Sequence, residues 1–392
     1  MSNAALSIRY YFGMPILNFR YDPSALNEGD PVSHVYFYCA PVHDHHAPQL
    51  PVMTQRADGT FHASVDIPSD AMGSFLVAPV DAEVARKMRE LSRGTPGDTQ
   101  ARWHELLAHS VAPNICRTVV SIDPPGVFVE SSMSTESGRV SMPDAPPRPG
   151  WPEGLTQFPH GEGWKMEVLA GKTAWTAGSS DSSHLLILFD AAMWLDTGLP
   201  QVLAEMAASM MIPNIRVIAI DTREDRSRIL GCSEDFAQWV ARDLLRCLPS
   251  RPAHCVAVAG QSLGGLTAAN IVRLHPNRIA RAIANSPSFW WPTFGGRAGG
   301  RMAELCRDSE TLDCLRSTDA EFFFSVGRGE GGGGGVGMVE HAGAVASVLS
   351  GAGVECAVEV TNTAHEMAAW EGALTRGILH MWGEPRDYGL TV

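Results

Sequence analysis

Gly260-Gln261-Ser262-Leu263-Gly264-Gly265 sets a serine between glycines in the pattern G-x-S-x-G, with one further glycine behind it. An apolar run, Val256-Ala257-Val258-Ala259, precedes it, and Leu266 to Leu274 reads as a helix. A serine on so sharp a strand-to-helix turn holds its Oγ above the sheet edge, where a histidine can reach it. Glycine is expected at 260 and 264 because a Cβ at either would collide with neighbouring backbone. A helix starting at Leu263 also points free N–H groups at the site, which suits an oxyanion. The chemistry is that of an activated hydroxyl nucleophile.

Around such a serine the chain order is nucleophile, acid, histidine, with the histidine on a loop after the last strand. Thr361-Asn362-Thr363-Ala364-His365-Glu366 occupies that place, so His365 is the candidate base. The acid belongs after the preceding strand, Glu321–Val326, where Glu330 stands among glycines that let it turn inward. Glu321 begins that strand and Glu366 adjoins the histidine; a Ser–His dyad without an essential acid is the other arrangement open. The oxyanion hole needs two backbone donors: the N–H of Leu263, and one from Asp190-Ala191-Ala192-Met193-Trp194, with Ala191 the candidate. Arg223, Arg226 and Arg228 form a basic cluster after a strand, suited to anionic oxygens such as carboxylates. Trp194, Trp290 and Trp291 are candidates to stack on aryl rings. His43-Asp44-His45-His46 lacks a partner pair at metal-ligand spacing and reads as a surface turn, so no metal and no cofactor is expected.

These residues need a scaffold. The chain has 392 residues, 45% hydrophobic and 19% charged, which is globular composition and long enough for two domains. Residues 1–150 read as a β-rich domain, with short strands at 35–39, 60–67 and 73–78 and helices near 81–91 and 99–109. The Pro-rich stretch 143–152 reads as a stiff linker. Residues 151–392 then alternate: strands at 184–189, 215–220, 279–284, 321–326 and 354–360, and helices at 199–211, 233–248, 338–349 and 367–381. That rhythm implies a mostly parallel sheet covered on both faces, the α/β-hydrolase plan. The net charge of −13 argues against nucleic acid or an anionic membrane as partner. No apolar stretch reaches membrane-spanning length. The first residues lack a signal-peptide pattern. Eight scattered cysteines without C-x-x-C suggest reduced thiols and a cytoplasmic protein. Oligomeric state is not legible.

The nucleophile segment, with His275-Pro276 and Ser286-Pro287-Ser288-Phe289-Trp290-Trp291 behind it, resembles that of the enterochelin esterases, which hydrolyse the trilactone of ferric enterobactin and related siderophores. Leu188-Phe189-Asp190 through Trp194 resembles their oxyanion strand, and Ala219-Ile220-Asp221-Thr222 with Arg226 and Arg228 resembles their arginine stretch. His365, followed by an acid and then Trp370, stands where their histidine does. In the first 150 residues Val42 to His46, Gly73-Ser74-Phe75 and Pro149-Gly150-Trp151 are similar to their first domain. The resemblance covers nearly the whole chain and implies an immunoglobulin-like sandwich before an α/β-hydrolase domain. It departs at Ala191, where the family has glycine, at Ile229, where a glutamate is usual, and at Glu371, where an arginine is usual. Losing a positive charge and gaining a negative one near the site argues against a highly anionic ferric catecholate as the substrate.

The leading expectation is a serine esterase acting through Ser, His and an acid on a siderophore-like or macrocyclic lactone, its partner a small-molecule ester such as a ferric siderophore. An acyltransferase or thioesterase of the same fold would differ only in the acyl acceptor, and a catalytically silent binding protein would not need the intact serine and histidine.

Overall fold

The computed structural model describes residues 10–11, 14–25, 32–43, 50–92, 96–110, 120–123, 128–131, 138–152, 158–293, 296–331 and 335–383. The chain divides into two compact units. The first holds residues up to Pro146 together with 153–157 and 362–368; the second holds 147–152, 158–361 and 369 onward.

In the first unit two antiparallel sheets face one another. One has the order β1 (Tyr10–Tyr11), β2 (Met14–Tyr21), β5 (Phe61–Asp66), β4 (Thr54–Gln55), with β7 (Val120–Asp123) also paired to β2. The other runs β3 (His34–Cys39), β6 (Met72–Val80), β9 (Gly138–Ser141), β8 (Phe128–Ser131). Strand side chains alternate between faces, so Leu17, Phe19 and Tyr21 of β2 meet Val35, Phe37 and Cys39 of β3 and Phe75 of β6 in one core. The Phe19 ring lies 4.5 Å from Phe37 and 5.2 Å from Phe75. The opposite face of the second sheet, Tyr36, Tyr38, Leu76 and Ala78, is covered by Ala85 and Met88 of α1 (Ala82–Leu91) and Leu106 of α2 (Pro96–Ala108). Asp81 caps α1 by accepting the Val84 N–H at 2.8 Å.

The second unit is built on an eight-stranded sheet ordered β10 (Lys165–Leu169), β11 (Lys172–Ala177), β13 (Ile215–Ile220), β12 (His184–Phe189), β14 (Val256–Gln261), β15 (Arg281–Asn285), β16 (Glu321–Gly327), β17 (Glu355–Thr361). The six strands from β13 to β17 are mutually parallel, and the β10–β11 hairpin joins the β13 edge antiparallel. The hairpin is absent from the expectations above. Helices α3 (Leu199–Ala208), α4 (Arg226–Leu230), α5 (Glu234–Gln238, continued by a π-wound turn to Leu244), α6 (Leu263–Leu274), α7 (Gly300–Leu305), α8 (Ser309–Ser317), α9 (Met338–Gly351) and α10 (Met367–Trp382) connect the strands. On one face Ile187, Ile218, Val258, Ala282 and Phe324 pack against Leu266 and Ile271 of α6 and Val345 and Leu349 of α9. The nucleophile helix runs Leu263–Leu274 and so starts at the residue after Ser262.

The Pro-rich stretch is not a free linker. Residues 147–152 are strapped to the second unit: Arg376 donates to the Pro147 carbonyl at 2.7 Å, and Trp151 Nε1 donates to the Glu371 carbonyl at 3.0 Å. Gly150, at φ +76°, lies so close to Met206 that a Cβ would meet its Cγ at 2.4 Å. Among the described residues no helix is long and apolar enough to cross a membrane.

Candidate active site

β12 has β13 on one side and β14 on the other, so the chain leaves this strand in both directions. Ligand crevices in open α/β sheets form outside the carboxyl ends of strands at such a point. The loop carrying Ala191 follows β12 there, and Ser262 follows β14.

Ser262 has φ 57° and ψ −120°, a conformation an L-residue adopts only when its surroundings enforce it. Three backbone hydrogen bonds do so. Its N–H donates to the Asn285 carbonyl at 3.0 Å, and its carbonyl accepts from Ser288 at 3.0 Å and Leu266 at 3.1 Å. A Cβ at Gly260 would stand 2.5 Å from the Gly264 carbonyl carbon. At Gly264, contrary to expectation, a Cβ would have only ordinary contacts at 3.5 Å. The crowding behind it falls on Gly265, 3.1 Å from the Asn285 carbonyl oxygen. The elbow is tight because the Gly264 backbone fills the space beside Gly260.

Leu263 is the first residue of α6, and the leading N–H groups of a helix have no partner within it. Asp190, at φ 58°, opens a single 3₁₀ turn, Ala191–Met193. Within that turn Met193 donates to the Asp190 carbonyl and Trp194 to the Ala191 carbonyl, both at 2.9 Å, so the amides of 191 and 192 are those the turn does not use. Gln261 Nε2 lies 3.3 Å from Met193 Sδ, bringing this loop against the nucleophile strand. The amides of Leu263 and Ala191 therefore stand at the ends of adjacent strands.

Glu330 is buried just past β16. Its Oε1 accepts the Ser286 hydroxyl at 2.7 Å and the Gly327 N–H at 2.6 Å. Ser286 Oγ in turn accepts from Trp370 Nε1 at 2.8 Å. Ser288 Oγ lies 3.1 Å from the Ser262 Oγ. Ser286 and Ser288 lie in the segment that carries the family resemblance, but their spacing alone marks neither as a site residue.

His365 is half-buried in the segment 362–368, after β17, which is counted with the first unit. There Asn362 Nδ2 donates to Asp70 Oδ1 at 2.6 Å, and Glu366 Oε1 accepts the Ser74 N–H at 2.7 Å while its other oxygen takes the Ser74 hydroxyl. Glu321 pairs at the start of β16 with Arg281, at 3.0 Å.

The three arginines are not one open cationic patch. Arg226 grips the buried Asp190 with two bonds, Nε to Oδ1 at 2.8 Å and Nη2 to Oδ2 at 2.7 Å, and Asp190 also accepts from the Thr222 hydroxyl. Arg223 is paired with Asp221 and Arg228 with Asp225, both arginines largely exposed. Trp194 is fully buried and so is a core residue in this structure, since a ring with no exposed surface offers a ligand no face. Trp290 and Trp291 are half-buried with ring centroids 5.9 Å apart, and Trp291 packs over Gly231. Ile229 packs against the core of the second unit. Glu371 forms an ion pair with Arg148 at 2.5 Å, both side chains 15% exposed, so its negative charge is compensated rather than presented to a ligand.

His43 is a structural histidine: its Nδ1 accepts the Cys39 N–H at 2.9 Å, and burial holds its pKa below the usual histidine value. Residues 44–46 of that run lie outside the described residues, as do 332–334 of the glycine run. Among the described residues no group of three His, Cys, Asp or Glu is placed to hold a metal. A cleft of about 610 Å³ lined by Ala177, Gln201, Leu203 and Ile215 lies at the amino end of β13, the opposite end of the sheet from Ser262.

A mostly parallel α/β sheet with a strained serine between strand and helix at its switch point is an arrangement compatible with ester hydrolysis. The chain belongs to the family described as Putative esterase, which matches residues 178–381. It is similar to the iron(III) enterobactin esterase of Escherichia coli K12, 28% identical over 317 residues, 74% of each chain. It is also similar to that of Dickeya dadantii, 31% identical over 301 residues, 69% of this chain and 65% of the relative. In fold it matches the ferric enterobactin esterase of Salmonella typhimurium, at TM-score 0.73 and 22% identity over 96% of this chain and 95% of that one. The enterobactin esterase of Shigella flexneri, solved in the presence of enterobactin, matches at TM-score 0.71 and 20% identity over 95% and 94%.

Proposed function

We propose that this chain hydrolyses the ester bonds of an enterobactin-type trilactone or a related siderophore lactone, with Ser262 as nucleophile, His365 as base and Glu330 as the acid. The observation that carries the reading is the strained Ser262 elbow at the sheet's switch point, with a buried carboxylate after β16 in the chain order such a mechanism needs. Ser262 Oγ attacks the ester carbonyl and passes its proton to His365. The developing oxyanion takes the N–H groups of Leu263 and Ala191. His365 then protonates the departing alkoxide, and activates the water that attacks the acyl-enzyme and frees Ser262. Glu330 fixes the ring's orientation and balances its positive charge.

The substrate class comes from the relatives, and features of this chain are compatible with it. The negative charge of Glu371 is compensated by Arg148, the positive charge usual at that position stays absent, and Ile229 removes a negative one. The exposed Arg223 and Arg228 can exchange their surface partners for substrate oxygens at small cost. Trp290 and Trp291 offer half-buried rings for aryl groups. The two facing sheets of the first unit are read as the immunoglobulin-like sandwich that the resemblance implies.

Incubation with trilactone siderophores, free and iron-loaded, followed by mass detection, tests this. Stepwise gain of one water per opened ester is expected. Ser262→Ala should lower turnover by several orders of magnitude with the fold intact. Products carrying an added alcohol in place of water would turn the reading toward acyl transfer. No cleavage of any lactone, with intact labelling of Ser262 by a fluorophosphonate, would remove the substrate class and keep the nucleophile.

A further inference from the structure

Trp370 Nε1, Ser286 Oγ and Glu330 Oε1 form a chain of two short hydrogen bonds, 2.8 Å and 2.7 Å, among three buried side chains. The direction is fixed by chemistry. An indole N–H can only donate, so Ser286 accepts from Trp370 and spends its one proton on the carboxylate. Glu330 has few ways to turn, since the same Oε1 also takes the Gly327 N–H and the Glu330 N–H donates to the Gly327 carbonyl at 3.1 Å.

Ser286 has φ 45°, in the left-handed region where a non-glycine residue is uncommon. Its N–H donates to the Ser325 carbonyl at 2.6 Å. The residue before it accepts from the Ser262 N–H and the residue two ahead donates to the Ser262 carbonyl. A four-residue stretch, Asn285 to Ser288, thus grips the backbone of the nucleophile at both ends and the acid in its middle.

We infer that Ser286 is a positioning residue for the reaction: it aims the Glu330 carboxylate, is itself oriented by Trp370, and ties the acid's position to the Ser262 elbow. The inference rests on Glu330 being the acid. A carboxylate held by two donors on one oxygen presents its other oxygen in a fixed direction, which the base requires.

The test uses Ser286→Gly, because glycine accepts the left-handed backbone while removing the hydroxyl. On an activated neutral ester kcat should fall about 10- to 100-fold with KM unchanged, as misplacement of a catalytic group does. Trp370→Phe keeps a ring and removes only the N–H, and should lower kcat in the same sense by a smaller factor. Combined with Glu330→Gln, Ser286→Gly should add no further loss, because residues acting as one unit are not additive. If Glu330→Gln alone is silent, the acid assignment fails and this inference falls with it. If Glu330→Gln is damaging while Ser286→Gly and Trp370→Phe keep full kcat, the acid stands and the positioning role is overturned. Losses that add to that of Glu330→Gln, or that raise KM in step with a lower melting temperature, also overturn it. Should Ser286→Gly fail to fold, Trp370→Phe and its combination with Glu330→Gln decide.

Discussion

A guanidinium that already holds a buried carboxylate by two bonds is poorly placed to release it for a substrate. Arg226 holds Asp190, and Asp190 opens the turn that carries the Ala191 amide. Removing Arg226 would leave a buried acid with the Thr222 hydroxyl as its side-chain donor among the described residues. Such a loss costs about 1–3 kcal/mol. Arg226→Ala should therefore lower the melting temperature and reduce turnover of charged and neutral esters alike. The joint change Arg223→Ala/Arg228→Ala breaks only exposed pairs and should leave stability nearly unchanged. Its expected effect is a higher KM for an anionic lactone alone, a difference that shrinks as salt rises because exposed charges are screened. A neutral aryl acetate measured in parallel separates the two outcomes, and a loss confined to the anionic ester in Arg226→Ala would return that residue to the substrate.

The elements explain why the elbow was legible and its details were not. Strands β12 to β16 stand out as apolar runs because a parallel sheet covered on both faces buries nearly every side chain of its strands. β10 gave no such signal: Met166 and Val168 point outward, 62% and 72% exposed, so its apolar residues mark no core. The glycine pattern located Ser262, yet which glycine is needed depends on which backbone lies beside it. Gly260→Ala should destabilise by about 1–3 kcal/mol, as overpacking against a fixed backbone does, and should distort the nucleophile. Gly264→Ala should fold as the parent does, its Cβ in ordinary contact. Paired thermal unfolding curves check both, and equal shifts would contradict the geometry. The acids beside the arginines were visible in Asp221-Thr222-Arg223-Glu224-Asp225-Arg226, but the Asp190 partner, 36 residues from Arg226, was not. Glu330 followed from chain order; its contact with Ser286, 44 residues away, belongs to the sheet and not to the spacing.

At the scale of the molecule the informative division falls near the end of the chain. Sequence rhythm gave residues 151–392 to one domain, whereas 362–368 belongs with the first unit. Ties within that unit hold the segment: Asn362 Nδ2 to Asp70, the Asn362 carbonyl accepting the Met72 N–H at 3.1 Å, and Glu366 to Ser74 through both the backbone N–H and the hydroxyl. Glu366 is thus engaged in fixing the segment that carries His365, which is a structural task for the carboxylate adjoining the proposed base. If His365 is the base proposed above, changes to these anchors should be felt in turnover. The double variant Asp70→Ala/Ser74→Ala removes both side chains that anchor the segment and alters no residue of the second unit. It is expected to lower kcat about 10- to 100-fold through misplacement of the base. Ser262 should still be labelled by a fluorophosphonate, though more slowly, because the elbow is set by backbone bonds within the second unit. Full turnover in the double variant would show that segment 362–368 keeps His365 in place without these anchors. Loss of labelling altogether, with a lowered melting temperature, would mean that the anchors serve the fold of the chain as a whole.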